Sequence, residues 1–232
     1  MSKKYNHAII MARGGSKGIK RKNLKKIDGK PLIYWTVKYC LAQKFISNTW
    51  VSSDNDEILK YVKKIGAKTI VRPKTYSQDS SSVEPGLLYT LKEIERNYTV
   101  KNVFFLQATS PVRQRLSLSN AYKRYIEQSL DSLFSGTINH NIFFSWRLLK
   151  KLFSNYNYKS RPRRQNLPDY IIENGSFYIF NANKFKKFKN RLFGKIGFYN
   201  QDLLESYQID DLRDFNLIQL ILKNKIKLKL NV

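Results

Sequence analysis

Along most of the chain, apolar segments of strand length alternate with segments of helical spacing, an order that leaves few folds open. Residues 7–11 (HAIIM) read as a first buried strand, and 31–42 as a helix with Leu32, Trp35 and Tyr39 on one face. Strands follow at 49–52 and Lys68–Val71, separated by a helix at 56–65 that Gly66 stops. Helical spacing returns at 81–96, broken near its start by Pro85 and Gly86, and then come a strand at 103–106, a helix at 117–128 and a strand at 132–135. Residues 140–168 lack this regularity; they are aromatic and basic and read as an inserted arm rather than a second domain. Strands at 170–172 and 176–180, a helix from Asn183 and a last helix over Leu212–Lys223 complete the pattern. It predicts one α/β domain over 1–232, three-layered, with a mostly parallel sheet and an arm at 140–168. A doubly wound sheet binds ligands beyond the carboxyl ends of its strands, where the polar segments after Met11, Ser52 and Leu106 fall.

The segment after Met11 carries chemistry. Gly14, Gly15 and Gly18 form a turn that lets backbone approach a ligand, and Arg13, Lys17, Lys20, Arg21 and Lys22 surround it with positive charge. Backbone N–H groups beside cations suit a polyphosphate. The spacing matches neither the P-loop nor the Gly-x-Gly-x-x-Gly dinucleotide turn, so a nucleoside triphosphate held by a different loop is the reading. A basic surface turn is the plainer alternative.

Composition narrows the classes. The net charge of +26 comes from 43 Lys and Arg against 17 Asp and Glu, but these cations run from Lys3 to Lys229 instead of forming a stripe. That spread argues against nucleic acid as the partner and for anionic small ligands. One cysteine, Cys40, excludes a disulfide framework and a thiolate metal site. With no apolar stretch of membrane-spanning length and no signal-peptide core, a soluble, cytoplasmic protein with no membrane partner is expected. Neither His7 nor His140 belongs to a catalytic set visible in the sequence.

Four strings occur in order: ARGGSKGIKRKN at 12–23, LQATSP at 106–111, RPRRQ at 161–165 and ENGSFY at 173–178. Together they resemble the acylneuraminate cytidylyltransferases, the CMP-sialic acid synthetases, over nearly the whole chain, with the third and fourth closest to the animal-type catalytic domain and its bacterial relatives. The resemblance implies a Rossmann-like nucleotidyltransferase fold. It also implies a reaction of CTP with a nonulosonic acid to give the CMP-sugar and pyrophosphate, with Mg²⁺, in a homodimer whose arm helps complete the partner's site. Arm aromatics such as Phe143, Trp146, Phe153 and Tyr158 would supply apolar contact there.

By the same resemblance, Arg13, Gly14, Lys17, Lys22 and Asn23 address the triphosphate side of the nucleotide, Arg72 contacts it, and Ser81 or Ser82 reads the cytosine. The serine run also reads as a helix N-cap beginning at Asp79. Gln107, Thr109, Asn174 and Gly175 face the sugar. Arg163 matches an arginine treated as catalytic, with Arg164 its close rival and Lys22 beside the phosphates. Fixed cations suit two anionic reactants and a leaving pyrophosphate. The family commonly has Asp-Ile-Asp near the end; here Gln208 replaces the first acid, leaving Asp210 as the main metal ligand and Asp211 in reserve. Asp54 reads more readily as a helix cap than as a ligand. The rivals are the same reaction on legionaminic, pseudaminic or 3-deoxy-manno-octulosonic acid, and, from another class, a basic nucleic-acid-binding protein.

Overall fold

A computed structural model of the chain describes residues 5–16, 18–77, 82–139, 146–148, 152–166 and 169–224. In chain order the elements are β1 (Asn6–Met11), β2 (Lys26–Ile27), β3 (Lys30–Pro31), α1 (Leu32–Leu41), β4 (Asn48–Ser53), α2 (Asp56–Lys64), β5 (Lys68–Val71), α3 (Val83–Glu95) and β6 (Asn102–Gln107). They continue with α4 (Ser117–Glu127), β7 (Ser132–Asn139), β8 (Trp146–Leu148), β9 (Leu152–Ser154), β10 (Tyr170–Asn181), α5 (Ala182–Phe188), β11 (Ile196–Asn200) and α6 (Leu212–Lys223). The main sheet has seven strands in the order β11-β7-β10-β6-β1-β4-β5. β1 pairs in parallel with β4 and β6, β4 with β5, and β7 with β11; only β10 runs antiparallel, to both its neighbours.

Side-chain alternation builds the three layers. Ala8 and Ile10 of β1, Phe104 and Leu106 of β6, and Phe177 and Ile179 of β10 join one core with Ile33 and Val37 of α1, Val62 of α2 and Leu118 of α4. Their sequence neighbours Ile9, Phe105, Tyr178 and Phe180 point the other way, onto Leu87, Leu91 and Ile94 of α3 and Phe185 of α5. Each such buried Val, Leu, Ile or Phe contributes about 1.5–3 kcal/mol over its exposed state. Phe215, Ile218 and Leu222 of α6 close over Ile19, Ile27, Leu32 and Val112 at the same end of the sheet as the glycine turn.

Several expectations are corrected. α3 is continuous from Val83 through Pro85, because proline within a first helical turn sits where N–H groups have no intrahelical acceptor. The strand expected at 132–135 continues to Asn139, and the two expected at 170–172 and 176–180 are one strand, β10, whose register with β7 shifts between Glu173 and Tyr178. The pairing of Tyr170 with Asn139 thus carries the sheet to the base of the arm. Within the arm, β8 and β9 form their own antiparallel pair. β11 was not foreseen, since Gly194 and Gly197 interrupt its pattern. Among the described residues no helix is long and apolar enough to cross a membrane.

Candidate active site

Because β4 and β6 flank β1 on opposite sides, the chain reverses its direction of winding beside β1, and the segments beyond these three strands converge there. A cavity of about 310 Å³ opens at that point, lined by Arg13, Gly15, Ser16, Lys22, Asn23, Arg72, Tyr76, Ser77, Ser82, Gln107 and Thr109, with Met11, Val83, Phe105 and Ala108 as its apolar wall. Residues from four separated stretches of sequence therefore meet in one pocket.

Each wall has a local cause. Gly14 donates its N–H to the Asp54 carboxylate at 2.9 Å, and a Cβ there would stand 2.8 Å from the Asn55 Cβ. Gly14 therefore serves the contact of the turn with the start of α2, and its amide is not presented to the cavity. A Cβ at Gly18 would run into the Asp210 carbonyl oxygen, so that glycine lets the turn approach the segment before α6. Asn55 caps α2 by accepting from the Ile58 N–H at 3.0 Å, which leaves Asp54 to the glycine turn instead of the cap. Asn23 is buried and donates from Nδ2 to the Arg13 carbonyl at 3.0 Å, fixing the turn's shape. Lys22, 13% exposed, donates from Nζ to the Ile209 carbonyl at 2.8 Å and lies 3.5 Å from Asp210 Oδ1.

Arg72 is the most constrained cation. It is 3% exposed; Nε donates to Ser77 Oγ at 3.0 Å, while Nη1 has no hydrogen-bond partner among the described residues. Burial pushes its pKa down, Asp54 opposes that shift, and Arg13 adds to it. A buried guanidinium N–H without an acceptor at a cavity wall is a site for an anionic or carbonyl oxygen of a ligand. Ser82 stands at the N-cap position of α3 but makes no capping hydrogen bond, and its residue lines the cavity. Lys17, Ser81 and Asp79 lie outside the described residues.

On the β6 side of the cavity, Thr109 Oγ1 and Gln107 Oε1 are 3.3 Å apart in a hydrogen bond. Gly175 has φ +65° and abuts that amide: a Cβ would stand 3.1 Å from Gln107 Nε2 and 2.8 Å from Gln208 Nε2. Gln208 Nε2 donates to the Asn174 carbonyl. The Asn174 side chain turns into the core, where Oδ1 accepts from Ser135 Oγ at 2.7 Å and Nδ2 donates to Gln201 Oε1 at 2.9 Å. Asn174, expected to approach the sugar through its backbone, thus spends its side chain on the core, and Gly175 abuts the Gln107 amide; neither residue lines the cavity.

The acidic pair divides. The Asp211 carboxylate caps α6, accepting from the backbone N–H groups of Arg213 and Asp214, and it also binds the Arg213 guanidinium; that hydrogen bond chiefly holds its pKa low. It is not a free metal ligand. Asp210 keeps an open carboxylate, 79% exposed, beside Lys22. Arg163 is exposed between two short 3-10 turns and does not line the cavity; the Arg164 side chain lies outside the described residues. His7 is buried and accepts from Trp50 Nε1 at 3.1 Å, a structural placement. Sequence reasoning missed Tyr76, whose ring stacks on Tyr89 at 5.3 Å, and Phe105; an aromatic shortly after Arg72 and one on the strand before Gln107 were the available signals.

A cytidylyltransferase family model matches residues 7–229. The chain is 36% identical over 215 residues to the N-acylneuraminate cytidylyltransferase of Oncorhynchus mykiss, covering 90% of this chain and 48% of that protein. It is 32% identical over 181 residues to a pseudaminic acid cytidylyltransferase of Campylobacter jejuni, covering 75% and 77%. The chain thus spans about half the length of the fish relative. A solved structure of CMP:2-keto-3-deoxy-manno-octonic acid synthetase complexed with CTP superposes with a TM-score of 0.71 at 14% identity, covering 95% of this chain and 99% of that one, which shows a shared fold. Fold, ordered motifs and the match across residues 7–229 agree: the chain belongs to the cytidylyltransferase family.

Proposed function

We propose that the protein transfers CMP from CTP to a nonulosonic acid of the sialic type, releasing pyrophosphate. The observation that carries this is the cavity itself. Arg13, Lys22 and the underpaired Arg72 line it together with the Gln107 amide and Thr109, so cations for a polyphosphate and a polar pair for a sugar share one pocket. The anomeric hydroxyl of the sugar acid attacks the α-phosphorus and gives up its proton to solvent, the bond to the bridging oxygen breaks, and the electron pair leaves on pyrophosphate. Arg13 and Lys22 stabilise the charge that builds on that leaving group, Arg72 anchors the nucleotide, and Ser82 reads the base together with Ser81. Gln107 and Thr109 orient the sugar beside the phosphorus.

Mg²⁺ belongs to the proposal as the ion that neutralises triphosphate charge. Among the described residues no cluster of three or more His, Cys, Asp or Glu side chains forms a cage. Asp210, whose carboxylate is open, would hold such an ion, which would offset the charge of the triphosphate. A homodimer follows from the same reading: Arg163 stands on the arm outside the cavity, and from there it would serve a partner's site, with Arg164 as the rival for that role. Cytoplasmic action suits a chain whose only cysteine is free and buried.

The sugar remains the variable term, since the 32% identity to a pseudaminic acid enzyme supports a second substrate. Pyrophosphate release is the test, with CTP, Mg²⁺ and a panel of N-acetylneuraminic, legionaminic, pseudaminic and 3-deoxy-manno-octulosonic acids. Release that needs both CTP and one of these acids, and fails with ATP, GTP or UTP, is expected. No release with any of them would refute the proposal.

A further inference from the structure

We infer that Arg113 is a positioning residue for Gln107, holding the main-chain end of that side chain where β6 and β10 separate; the inference rests on the function proposed above. The antiparallel ladder between these strands has Phe177 opposite Leu106 as its last pair, and the next residues, Ser176 and Gln107, do not pair. Their carbonyls meet the Arg113 fork instead. Nη2 donates to the Gln107 carbonyl and to the Ser176 carbonyl, both at 2.8 Å. Nε donates to Ser176 Oγ at 3.0 Å, and Nη1 donates to Thr36 Oγ1 at 2.9 Å. Thr36 Oγ1 in turn donates to the Gln107 carbonyl at 3.3 Å. A planar guanidinium thereby replaces a rung of the sheet while keeping the two strands apart.

This arrangement is a poor way to gain stability. Arg113 is 4% exposed and forms no ion pair among the described residues. The nearest compensation is diffuse: the face of Tyr39 lies 5.6 Å away, and the buried Glu205 carboxylate is spent on the Gln114 N–H and Ser117 Oγ. Burying a cation on neutral acceptors costs more than an ordinary ladder hydrogen bond would. What it achieves is local. Gln107 is held at its carbonyl by Arg113 and Thr36, at its amide by Thr109, and is bounded by Gly175, so the amide enters the cavity with one orientation. Lysine supplies charge at position 113 without the fork that reaches both carbonyls and Thr36.

Steady-state kinetics on the full chain test this, with CTP and whichever keto acid the wild type turns over, using Arg113→Lys, Gln107→Ala and the double variant. The expected result for Arg113→Lys is a KM for the sugar acid raised about tenfold or more, with the KM for CTP within about twofold of wild type. In the Gln107→Ala background, Arg113→Lys should add no further rise, because its effect passes through the missing amide. Equal rises in both KM values, or an undiminished Arg113→Lys effect without Gln107, would overturn the inference. Should Arg113→Lys not fold, Thr36→Val carries the comparison: a smaller rise confined to the sugar acid supports the bracing, and no change defeats it. A wild type silent toward every keto acid sinks the proposed function, and this inference with it, before any variant is compared.

Discussion

Arg72 shows at the scale of one residue how a binding site can hold back stability. Its guanidinium is almost wholly out of water, with Nη1 unpaired among the described residues and its pKa pushed down by burial. Arg72→Met fills similar space without the buried charge, so CTP binding by titration calorimetry should weaken about tenfold or more while Tm holds or rises. Gly175 is a second such residue. Alanine there meets both a left-handed φ of +65° and the amides of Gln107 and Gln208. Gly175→Ala should lower unfolding free energy in urea by about 1–2 kcal/mol and reduce turnover, because relief of the clash moves Gln107. Arg13, Lys22, Asn23, Gln107 and Thr109 were legible from short strings at strand ends, Arg72 and Ser82 only through the family resemblance, and all seven line the cavity. Arg113 and Glu205 were not, since their partners Ser176 and Ser117 lie far along the chain. Asp211 was misread because a helix cap and a metal ligand use the same carboxylate; Asp214 three residues on, completing the capping box, was the signal for the cap.

The cap of α6 sets a pH dependence at the scale of an element. Hydrogen bonding to Arg213 and to backbone N–H groups holds the Asp211 carboxyl below its ordinary range. As pH falls, the unfolded chain takes up this proton before the folded one does. The stabilisation is therefore complete above the ordinary carboxylate range and is lost as pH falls through the lowered value. Asp211→Asn keeps a capping acceptor but no charge, so stability followed by urea unfolding should vary less steeply on the acid side than in the wild type. Elements with strong periodicity, such as α1, α2, β5 and α6, appear where the sequence placed them. The extension of β7 past Ser135 was hidden by Gly136, and the joining of 170–172 to 176–180 by Gly175; pairing of β7 with β10, not local propensity, makes these stretches strand.

Across the whole molecule, the two cores on either side of the sheet make Cys40 a reporter of global opening. It is fully buried on α1, and burial pushes its thiol up to about 12. Native protein should therefore resist thiol reagents at neutral pH and label only as fast as the core opens, with full labelling in urea. The α/β architecture was legible from the order of segments, whereas the antiparallel course of β10 was not, because direction depends on how the chain returns from the arm. The position of β1 beside β6 has a further consequence for how such a protein diversifies. Arg13, Lys22, Asn23, Arg72 and Ser82 all precede β6, while Gln107, Thr109, Gly175 and Gln208 lie at its end or beyond it. On the function proposed above, the nucleotide is served mainly by the earlier stretch of the chain and the sugar acid by the later one, joined along a single pair of parallel strands. On that reading, inheritance can rewrite much of the later stretch for a new sugar acid while the earlier one is passed on intact.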